Sequence, residues 1–276
     1  MTQLIIKSKI NKMLQILKYY IYLFCERFGP YEKIREYKKF NLAYTKGYSL
    51  VGRIAANGVY EPELSRRIVE ELKRTQSEYF LDVGANIGLV SLNVLSELPD
   101  LRIFCIEPGP EQAKQLKMTI GLNNLSGKIR LFQCALGERS GESQFVTHSS
   151  AHNSGDGFFD TKRAGKGRFI TVSVDKLDNW WRSAGSCLIK VVKIDAEGAE
   201  LWILRNGEEF FRQCRPTIFM EINKRNIEPY PFQEADLLKW LNKMQYSLKT
   251  LDEDAVVESN LDYYLNKTDS FVAIPN

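Results

Sequence analysis

From residue 79 onward, short apolar segments alternate with segments of helical spacing, and this alternation constrains the fold more than any other feature. Apolar runs of strand length lie at 79–83, 102–106, 129–134, 168–174, 189–194, 217–222 and 270–274. Strands that are separated by helices pair into a mostly parallel sheet with helices on both faces. We therefore predict an α/β fold, whose ligands bind beyond the carboxyl ends of the strands.

The first 60 residues lack this alternation, and their spacing predicts helices. Apolar residues recur at intervals of three and four over 6–28, which places them on one face of a helix. Residues 31–78 are also expected to be helical, with a helix start at Glu61-Pro62-Glu63, because proline fits the first turn and acids suit the positive helix end. We expect an N-terminal helical extension over 1–60 and one α/β domain over 61–276.

Positive charge is concentrated in the N-terminal segment. Residues 1–40 contain nine lysines and arginines against three glutamates, a net charge of +6, whereas the whole chain carries +4. The remainder is slightly acidic and has no sustained basic stripe, which argues against nucleic acid as a substrate. The N-terminal helix is expected either to pack on the core or on a second subunit, as in a homodimer, or to lie on an anionic membrane surface.

The sequence gives little sign of export or of membrane insertion. The longest charge-free run of the N-terminal segment, 19–25, is far short of the roughly 20 apolar residues that a spanning helix needs. No small-residue cleavage site follows an apolar stretch, so we expect no signal peptide. The five cysteines are scattered and form no CxxC pair, which favours a reducing compartment. The expected location is the cytoplasm, with the inner face of the membrane as the alternative.

A glycine-containing turn, Asp82-Val-Gly84-Ala-Asn86-Ile-Gly88, follows the first of these strands. Glycine permits a positive φ and lets a ligand approach the backbone, and asparagine is one of the few other residues that tolerate the left-handed region. The helix that follows offers unpaired N–H groups at its start. The Asp82 carboxylate can orient an ammonium group of the ligand. We predict that Asp82, Gly84, Asn86 and Gly88 bind a cofactor.

An acid ends the second strand at Glu107-Pro108, 25 positions after Asp82. An acid at about this spacing typically binds ribose hydroxyls. The dinucleotide fingerprint G-x-G-x-x-G fails, however, because its second and third glycines fall on Asn86 and Leu89. The pattern favours S-adenosyl-L-methionine over a nicotinamide dinucleotide.

Together these segments resemble the FkbM family of methyltransferases. The resemblance is carried by Phe80-Leu-Asp-Val-Gly-Ala-Asn-Ile-Gly88, Cys105-Ile-Glu-Pro108, Thr171-Val-Ser-Val-Asp-Lys-Leu-Asp178, Val192-Lys-Ile-Asp-Ala-Glu-Gly-Ala-Glu200 and Phe219-Met-Glu-Ile222. It implies a Rossmann-like class I methyltransferase fold, with a seven-stranded sheet whose last strand is antiparallel. It also implies methylation of a hydroxyl group on a sugar or a natural product. In this fold an adenine ring would lie against Cys134, Ala135 and Leu136.

The reacting side is expected at the end of the fourth core strand, which carries Asp195 after an apolar run. A hydroxyl is a weak nucleophile, so a base assists its reaction. We predict that Asp195 is the base or orients it, and that Glu197 and His152 take part. The alternatives are helix capping for Glu197, a solvated loop position for His152, and a metal held by the acids, which we do not expect.

The predicted function is therefore O-methyl transfer to a hydroxyl of a carbohydrate or a polyhydroxylated natural product. Two other classes stay open at this point. The first is an NAD(P)-dependent Rossmann oxidoreductase, which the failed fingerprint disfavours. The second is a non-enzymatic binding module with the same fold, which the set of Asp82, Glu107 and Asp195 disfavours.

Overall fold

The fold was analysed on a computed structural model, which describes residues 13, 14, 16, 32–48, 50–52, 54, 58–148, 155–161 and 167–276. The predicted N-terminal helix lies outside the described residues apart from Met13, Leu14 and Ile16, which are helical and exposed. Over the described part of the chain, no helix has both the length and the apolar character needed to cross a membrane.

The described residues form strands and helices that alternate along most of the chain. The strands are β1 (Glu32–Tyr37), β2 (Phe40–Thr45), β3 (Tyr79–Val83), β4 (Arg102–Ile106), β5 (Ile129–Phe132), β6 (Ala135–Leu136), β7 (Gly141–Thr147), β8 (Arg168–Asp175), β9 (Val191–Ile194), β10 (Thr217–Glu221), β11 (Tyr246–Thr250), β12 (Ala255–Val256) and β13 (Ser270–Pro275). The helices are α1 (Pro62–Thr75), α2 (Leu89–Glu97), α3 (Pro110–Leu122), α4 (Leu177–Ser183), α5 (Glu200–Arg205), α6 (Glu208–Cys214), α7 (Lys224–Ile227), α8 (Glu234–Lys243) and α9 (Leu261–Leu265).

The central sheet has the strand order β12-β11-β13-β10-β9-β3-β4-β5. Strands β3, β4, β5, β9 and β10 run parallel, and β13 is antiparallel to both of its neighbours. The predicted Rossmann-like class I fold, with its antiparallel last strand, is confirmed. The sheet has one strand more than the seven expected, because the two-residue strand β12 pairs with β11 at the edge.

Apolar layers cover both faces of this sheet, as strand geometry requires. Successive side chains of β3 point to opposite faces, so Phe80 packs in one layer and Leu81 in the other. Helices α4, α5, α6 and α8 contribute to the layer of Leu81, whereas α1, α2 and α3 contribute to the layer of Phe80. The parallel strands are therefore buried on both sides, and only their ends are free to build a site.

The N-terminal part of the domain differs from its sequence prediction. Residues 32–45 form a β-hairpin in the register from Glu32↔Thr45 to Tyr37↔Phe40, so the helical prediction is wrong there. The hairpin docks on α3, where the Ala43 N–H donates to Thr119 Oγ1 at 2.9 Å. Docking of a buried strand, rather than local helical spacing, sets its conformation. The helix start at Glu61-Pro62-Glu63 is confirmed, since α1 begins at Pro62.

The hairpin shares one core with the sheet. Tyr37, Leu42 and Tyr48 are almost completely buried among residues of α1, α2 and β3. The domain boundary that we placed after residue 60 stays a prediction. The contacts of these three residues join the segment before residue 60 to the segment after it.

A second, three-stranded sheet has the order β6-β8-β7. Between β7 and β8 runs the long polar loop, whose described part includes 155–161. A bridge between Val146 and Gly157 holds this part against β7. The second sheet thereby positions loop residues over the carboxyl edge of the central sheet.

Candidate active site

A cavity opens at the carboxyl ends of the parallel strands, where the fold predicts ligand binding. The sequence-predicted residues that line it are Gly84, Asn86, Glu107, Pro108, Ala135, Leu136, Asp195 and Glu197. Three others, Asp82, Gly88 and Cys134, are not part of the lining, and His152 lies outside the described residues.

Glu107 follows β4 and is buried, with a carboxylate that accepts two backbone hydrogen bonds. The Asn86 N–H donates to Oε2 and the Gly109 N–H donates to Oε1, both at 2.8 Å. Burial raises the pKa of Glu107 to about 7, although both hydrogen bonds act in the opposite direction. The side chain thus lies against the turn after β3, and its charge is sensitive to pH near neutrality.

The turn after β3 adopts the backbone that its sequence predicts. Gly84 has φ 72° and Asn86 has φ 54°, both in the left-handed region. A Cβ at Gly84 would lie 1.8 Å from the backbone oxygen of Asp195, so glycine is needed here for strand-end packing. Asn86 Oδ1 accepts hydrogen bonds from the Tyr48 hydroxyl at 2.5 Å and from the Ile87 N–H at 2.8 Å. Tyr48 was missed, because no local pattern links it to this turn.

Asp82 is completely buried beneath the cavity, which differs from its predicted place beside the ligand. Its Oδ2 accepts a hydrogen bond from Ser91 Oγ at 2.6 Å, and its Oδ1 lies 3.4 Å from Lys193 Nζ. Since β3 and β9 are neighbours, Asp82 and Lys193 are directly opposite each other in register. The ammonium group next to Asp82 is therefore one that the chain itself supplies.

Gly88 and Cys134 serve packing. Gly88 precedes α2 at φ 85°, and a Cβ there would lie 2.6 Å from Leu116 Cδ1. Cys134 is partly buried against the apolar layer that contains Leu81. Neither residue lines the cavity, whereas the neighbouring Ala135 and Leu136 do, so the cofactor-binding role of Gly88 and Cys134 stays a prediction.

Asp195 follows β9 and reaches the cavity beside Lys193. Lys193 Nζ lies 3.3 Å from Asp195 Oδ2 and donates to the Gly84 carbonyl at 3.2 Å. Lys193 is 4% exposed, and its pKa is held above the usual range because the neighbouring acids outweigh its burial. A lysine inside an apolar strand was the available sequence signal for this contact, and it was not used.

Glu197 lies in the turn after β9 with φ 49°, and its Oε2 accepts from Asn226 Nδ2 at 2.7 Å. Glu221, at the end of β10, also lines the cavity. Burial and the charges of Asp195 and Glu197 raise the pKa of Glu221 far above its usual range. Burial therefore favours the protonated form of Glu221, which sequence analysis did not single out.

Glu200 stabilises the turn after β9. Its Oε1 accepts from the Ala196 N–H at 2.9 Å and from the Gly198 N–H at 3.3 Å, and its side chain is buried in the turn. This arrangement supports the turn that carries Glu197.

The described part of the long loop closes one side of the cavity. Asp156 and Phe158 line it. Asp156 Oδ1 lies 3.0 Å from His148 Nδ1, and Oδ2 accepts from Gln112 Nε2 at 2.6 Å. His148 is buried and does not line the cavity. The loop thus contributes an acid and an aromatic ring, and loop composition gave no signal for either.

Across the described ranges, no group of three or more His, Cys, Asp or Glu side chains is arranged to hold a metal ion.

The sequence profile of the methyltransferase FkbM domain matches residues 82–248, more than half of the chain. The chain belongs to the FkbM methyltransferase family. The prediction of this family, and with it a methyltransferase, is confirmed, which sets aside the oxidoreductase and the non-enzymatic alternatives. Membership of the FkbM family and the class I fold together imply a cofactor of the S-adenosylmethionine type.

Two curated relatives agree with this membership. The chain is 30% identical over 183 residues to the 2-O-methyltransferase NoeI of Sinorhizobium fredii (strain NBRC 101917 / NGR234), covering 58% of this chain and 71% of that one. It is 23% identical over 189 residues to the methyltransferase sdnD of Sordaria araneosa, covering 59% and 73%.

Solved structures show more distant similarity. The FkbM methyltransferase of Methylobacillus flagellatus KT aligns with a TM-score of 0.45 and 16% identity, over 81% of this chain and about half, 52%, of that chain. A putative caffeoyl-CoA O-methyltransferase from Staphylococcus aureus aligns with a TM-score of 0.48 and 12% identity, over 82% and 90%.

Proposed function

We propose that this FkbM protein transfers a methyl group from S-adenosyl-L-methionine to a hydroxyl of a carbohydrate or a polyhydroxylated natural product. The observation that carries this proposal is a single cavity that holds the buried carboxylate of Glu107 at one end and the side chain of Asp195 at the other. The name of the relative NoeI, a 2-O-methyltransferase, supports oxygen as the acceptor atom.

The residues of the first end suit an adenosyl group. The Glu107 carboxylate can accept hydrogen bonds from ribose hydroxyls, as acids at the end of this strand do in nucleotide-binding folds. Leu136, Phe145 and Phe158 supply apolar surface for an aromatic ring. Gly84 and Asn86 let the ligand approach the turn closely. When bound, S-adenosylmethionine supplies a methyl group that is activated by a positively charged sulfur.

The residues of the second end suit an acceptor with several hydroxyl groups. Asp195 and Glu197 present carboxylate oxygens, which accept hydrogen bonds from hydroxyls, and Asp195 Oδ2 lies 3.3 Å from Lys193 Nζ. Alignment of the acceptor oxygen with the methyl carbon is the main task of the protein in such a displacement. We propose that Asp195 orients the reacting hydroxyl. The role of His152 stays a prediction.

For the N-terminal segment we propose two alternatives: contact with an anionic membrane at the inner face, or packing on the core or on a second copy of the chain. The +6 charge of residues 1–40 supports the first. Cosedimentation of the full chain with anionic vesicles, beside a chain that lacks residues 1–30, separates the two. Salt should weaken membrane binding, because screening reduces attraction between exposed charges.

The test of the main proposal combines binding and transfer. S-adenosylhomocysteine at about a hundredfold excess over its Kd should stabilise the protein by about 2.7 kcal/mol, which is seen as a higher Tm. Incubation with S-adenosylmethionine and a panel of neutral mono- and oligosaccharides should yield a methyl ether, identified by mass spectrometry. A Tm that NAD raises and S-adenosylhomocysteine does not would contradict the proposal.

A further inference from the structure

The cavity divides into two halves by strand order. Glu107 follows β4 and Ala135 comes shortly after β5 on one side of β3, whereas Asp195 follows β9 and Glu221 and Ser270 belong to β10 and β13 on the other side. Neighbouring strands are about 4.8 Å apart, so Glu107 after β4 and Glu221 on β10 are separated by about 14 Å. If the adenosyl group occupies the first half, the acceptor must enter the second.

Glu61 contributes to this second half from outside the family match, which begins at residue 82. It is the residue before α1, and its backbone is left-handed, with φ 42° and ψ 60°. The neighbouring backbone is fixed on both sides: the Tyr60 carbonyl accepts from Asn93 Nδ2 at 2.9 Å, and the Ser65 N–H donates to the Glu61 carbonyl at 3.0 Å. The position of Glu61 is thus set by α1 and α2.

The side chain of Glu61 does not cap α1, although the residue directly precedes this helix. An acid before a helix is expected to cap the free N–H groups, but Glu61 makes no side-chain capping bond. It points into the cavity, where it lies among the residues that surround Lys193 and Asp195. Its Oε2 is buried and accepts no hydrogen bond from the described residues, although the Tyr60 side chain forms a hydrogen bond with the Glu61 carboxyl group. A buried carboxylate oxygen without a donor is costly, and an acceptor hydroxyl would supply the missing donor.

Three other acids that line this half, Asp195, Glu197 and Glu221, have partners, whereas Asp269 lines it as an exposed acid. Asp195 is paired with Lys193 at 3.3 Å, and Glu197 accepts a hydrogen bond from Asn226. Glu221 accepts a hydrogen bond from Asn226 Nδ2 at 3.3 Å, and burial and its acidic neighbours raise its pKa above the usual range. Burial and the nearby Asp195 also raise the pKa of Glu61 above its usual range, which brings its basicity closer to that of a base working near neutral pH.

We propose that Glu61 is the catalytic base of this enzyme and that its Oε2 takes the proton of the acceptor hydroxyl. The inference rests on the proposed function. A bond forms between the acceptor oxygen and the methyl carbon, and the carbon–sulfur bond breaks with its electron pair left on sulfur. The hydroxyl proton passes to Glu61, so the products are the methyl ether, neutral S-adenosylhomocysteine and a protonated Glu61. Asp195 orients the same hydroxyl, and Lys193 keeps Asp195 in place.

Glu61→Gln tests this role, and Glu63→Gln is its matched control, since Glu63 lies two positions further along and is half exposed beside Arg66. With the saccharide that the wild type methylates best, Glu61→Gln should lose about 10²–10⁴-fold in kcat while its Kd for S-adenosylhomocysteine stays within about twofold. Glu63→Gln should match the wild type in both. Normal turnover in Glu61→Gln would overturn the proposal.

A pH profile separates a base from a structural group. In the wild type, kcat should fall as the pH drops below the raised pKa of Glu61, and Glu61→Asp, which keeps a carboxylate, should retain that limb with reduced turnover. If Glu61→Asp is as inactive as Glu61→Gln and both lack S-adenosylhomocysteine binding, Glu61 is structural and the proposal fails.

Thermal denaturation tests Glu61 without an acceptor. Since its folded pKa lies above the unfolded value of 4.5, ionisation destabilises the fold, so stability is lost as the pH rises through the folded pKa. The Tm of Glu61→Gln should therefore exceed that of the wild type increasingly above about pH 4.5. Equal Tm values at every pH would overturn the placement of Glu61 as a buried acid with a raised pKa, and hence its role. If the wild type methylates no saccharide while this Tm difference is present, the proposed acceptor class fails instead.

Discussion

Lys193 on β9 lies directly opposite Asp82 on β3, with its Nζ 3.4 Å from Asp82 Oδ1 and 3.3 Å from Asp195 Oδ2. One buried ammonium group therefore joins the strand that leads into the cofactor turn to the strand that leads into the reacting end. Because Asp82 is completely buried and Lys193 is 4% exposed, neither charge is solvated by water. The two halves of the cavity are thus held together by an ion pair beneath its floor.

Lys193→Met should destabilise the protein strongly. Removing one partner of a buried ion pair leaves the other charge uncompensated, which typically costs about 3–5 kcal/mol. Urea denaturation should show this loss of unfolding free energy. The double variant Lys193→Met/Asp82→Asn should recover part of it, because the orphaned charge is also removed. If Lys193→Met unfolds at the wild-type urea concentration, the pair contributes nothing to stability.

Gly84→Ala should disturb the junction of the two strand ends. A methyl group at Gly84 would overlap the Asp195 backbone oxygen and would also require a positive φ, so β3 and β9 must move apart. We expect a lower Tm and weaker S-adenosylhomocysteine binding, measured by calorimetry. Gly121→Ala is the control: no atom lies within 4 Å of the added Cβ in α3, and alanine should stabilise the helix by about 0.5–1 kcal/mol. Equal effects of the two substitutions would contradict the steric argument.

Cofactor affinity should depend on pH through Glu107. Its pKa is raised to about 7, and the ionised form is the better acceptor for ribose hydroxyls. Affinity for S-adenosylhomocysteine should therefore be full above about pH 8 and fall by up to tenfold per unit below about pH 7. Isothermal titration at several pH values measures this. Glu107→Gln should bind more weakly, by about 1–3 kcal/mol, and should not show this dependence. A flat wild-type profile would argue against contact between Glu107 and the ligand.

Asp195→Asn should separate binding from turnover. The amide keeps the shape of the side chain but removes the charge that faces Lys193, so the acceptor hydroxyl loses its orientation. We expect near-normal S-adenosylhomocysteine affinity and a loss in kcat of about 10²-fold or more. Asp100→Asn, at an exposed ion pair with Lys128, is the control and should behave as the wild type. Unchanged kcat in Asp195→Asn would mean that residues other than Asp195 orient the acceptor hydroxyl.

Much of the central fold could be predicted because its signals are local. Runs such as 79–83 and 102–106 are mostly apolar, since parallel strands are buried on both faces, and the structure has strands with these bounds. The backbone of the turn after β3 could also be predicted, because glycine and asparagine are the residues that adopt a left-handed conformation most easily. Glu107 was found from its spacing and does line the cavity.

The hairpin of β1 and β2 was missed because nothing local distinguishes it from a helix. Its aromatic and aliphatic residues are buried against α3 and β3, and only that docking selects the extended form. A short strand at the edge of a domain is decided by what covers it, and the contact of Ala43 with Thr119 spans 76 positions of the chain.

The sequence by itself determined most strands of the central sheet, the family and the acids at the strand ends, because each depends on neighbours along the chain. Tertiary structure alone decided which acids face the ligand. Asp82 precedes the cofactor turn, which suggested contact with the ligand, yet the parallel pairing of β3 and β9 places Lys193 against it. Glu61 precedes α1, which suggested a place at the helix start, yet the packing of α1 turns its side chain towards Asp195. Charge interactions fall off over a few ångströms, so the ionic state and the use of each acid depend on distances that only the folded chain sets.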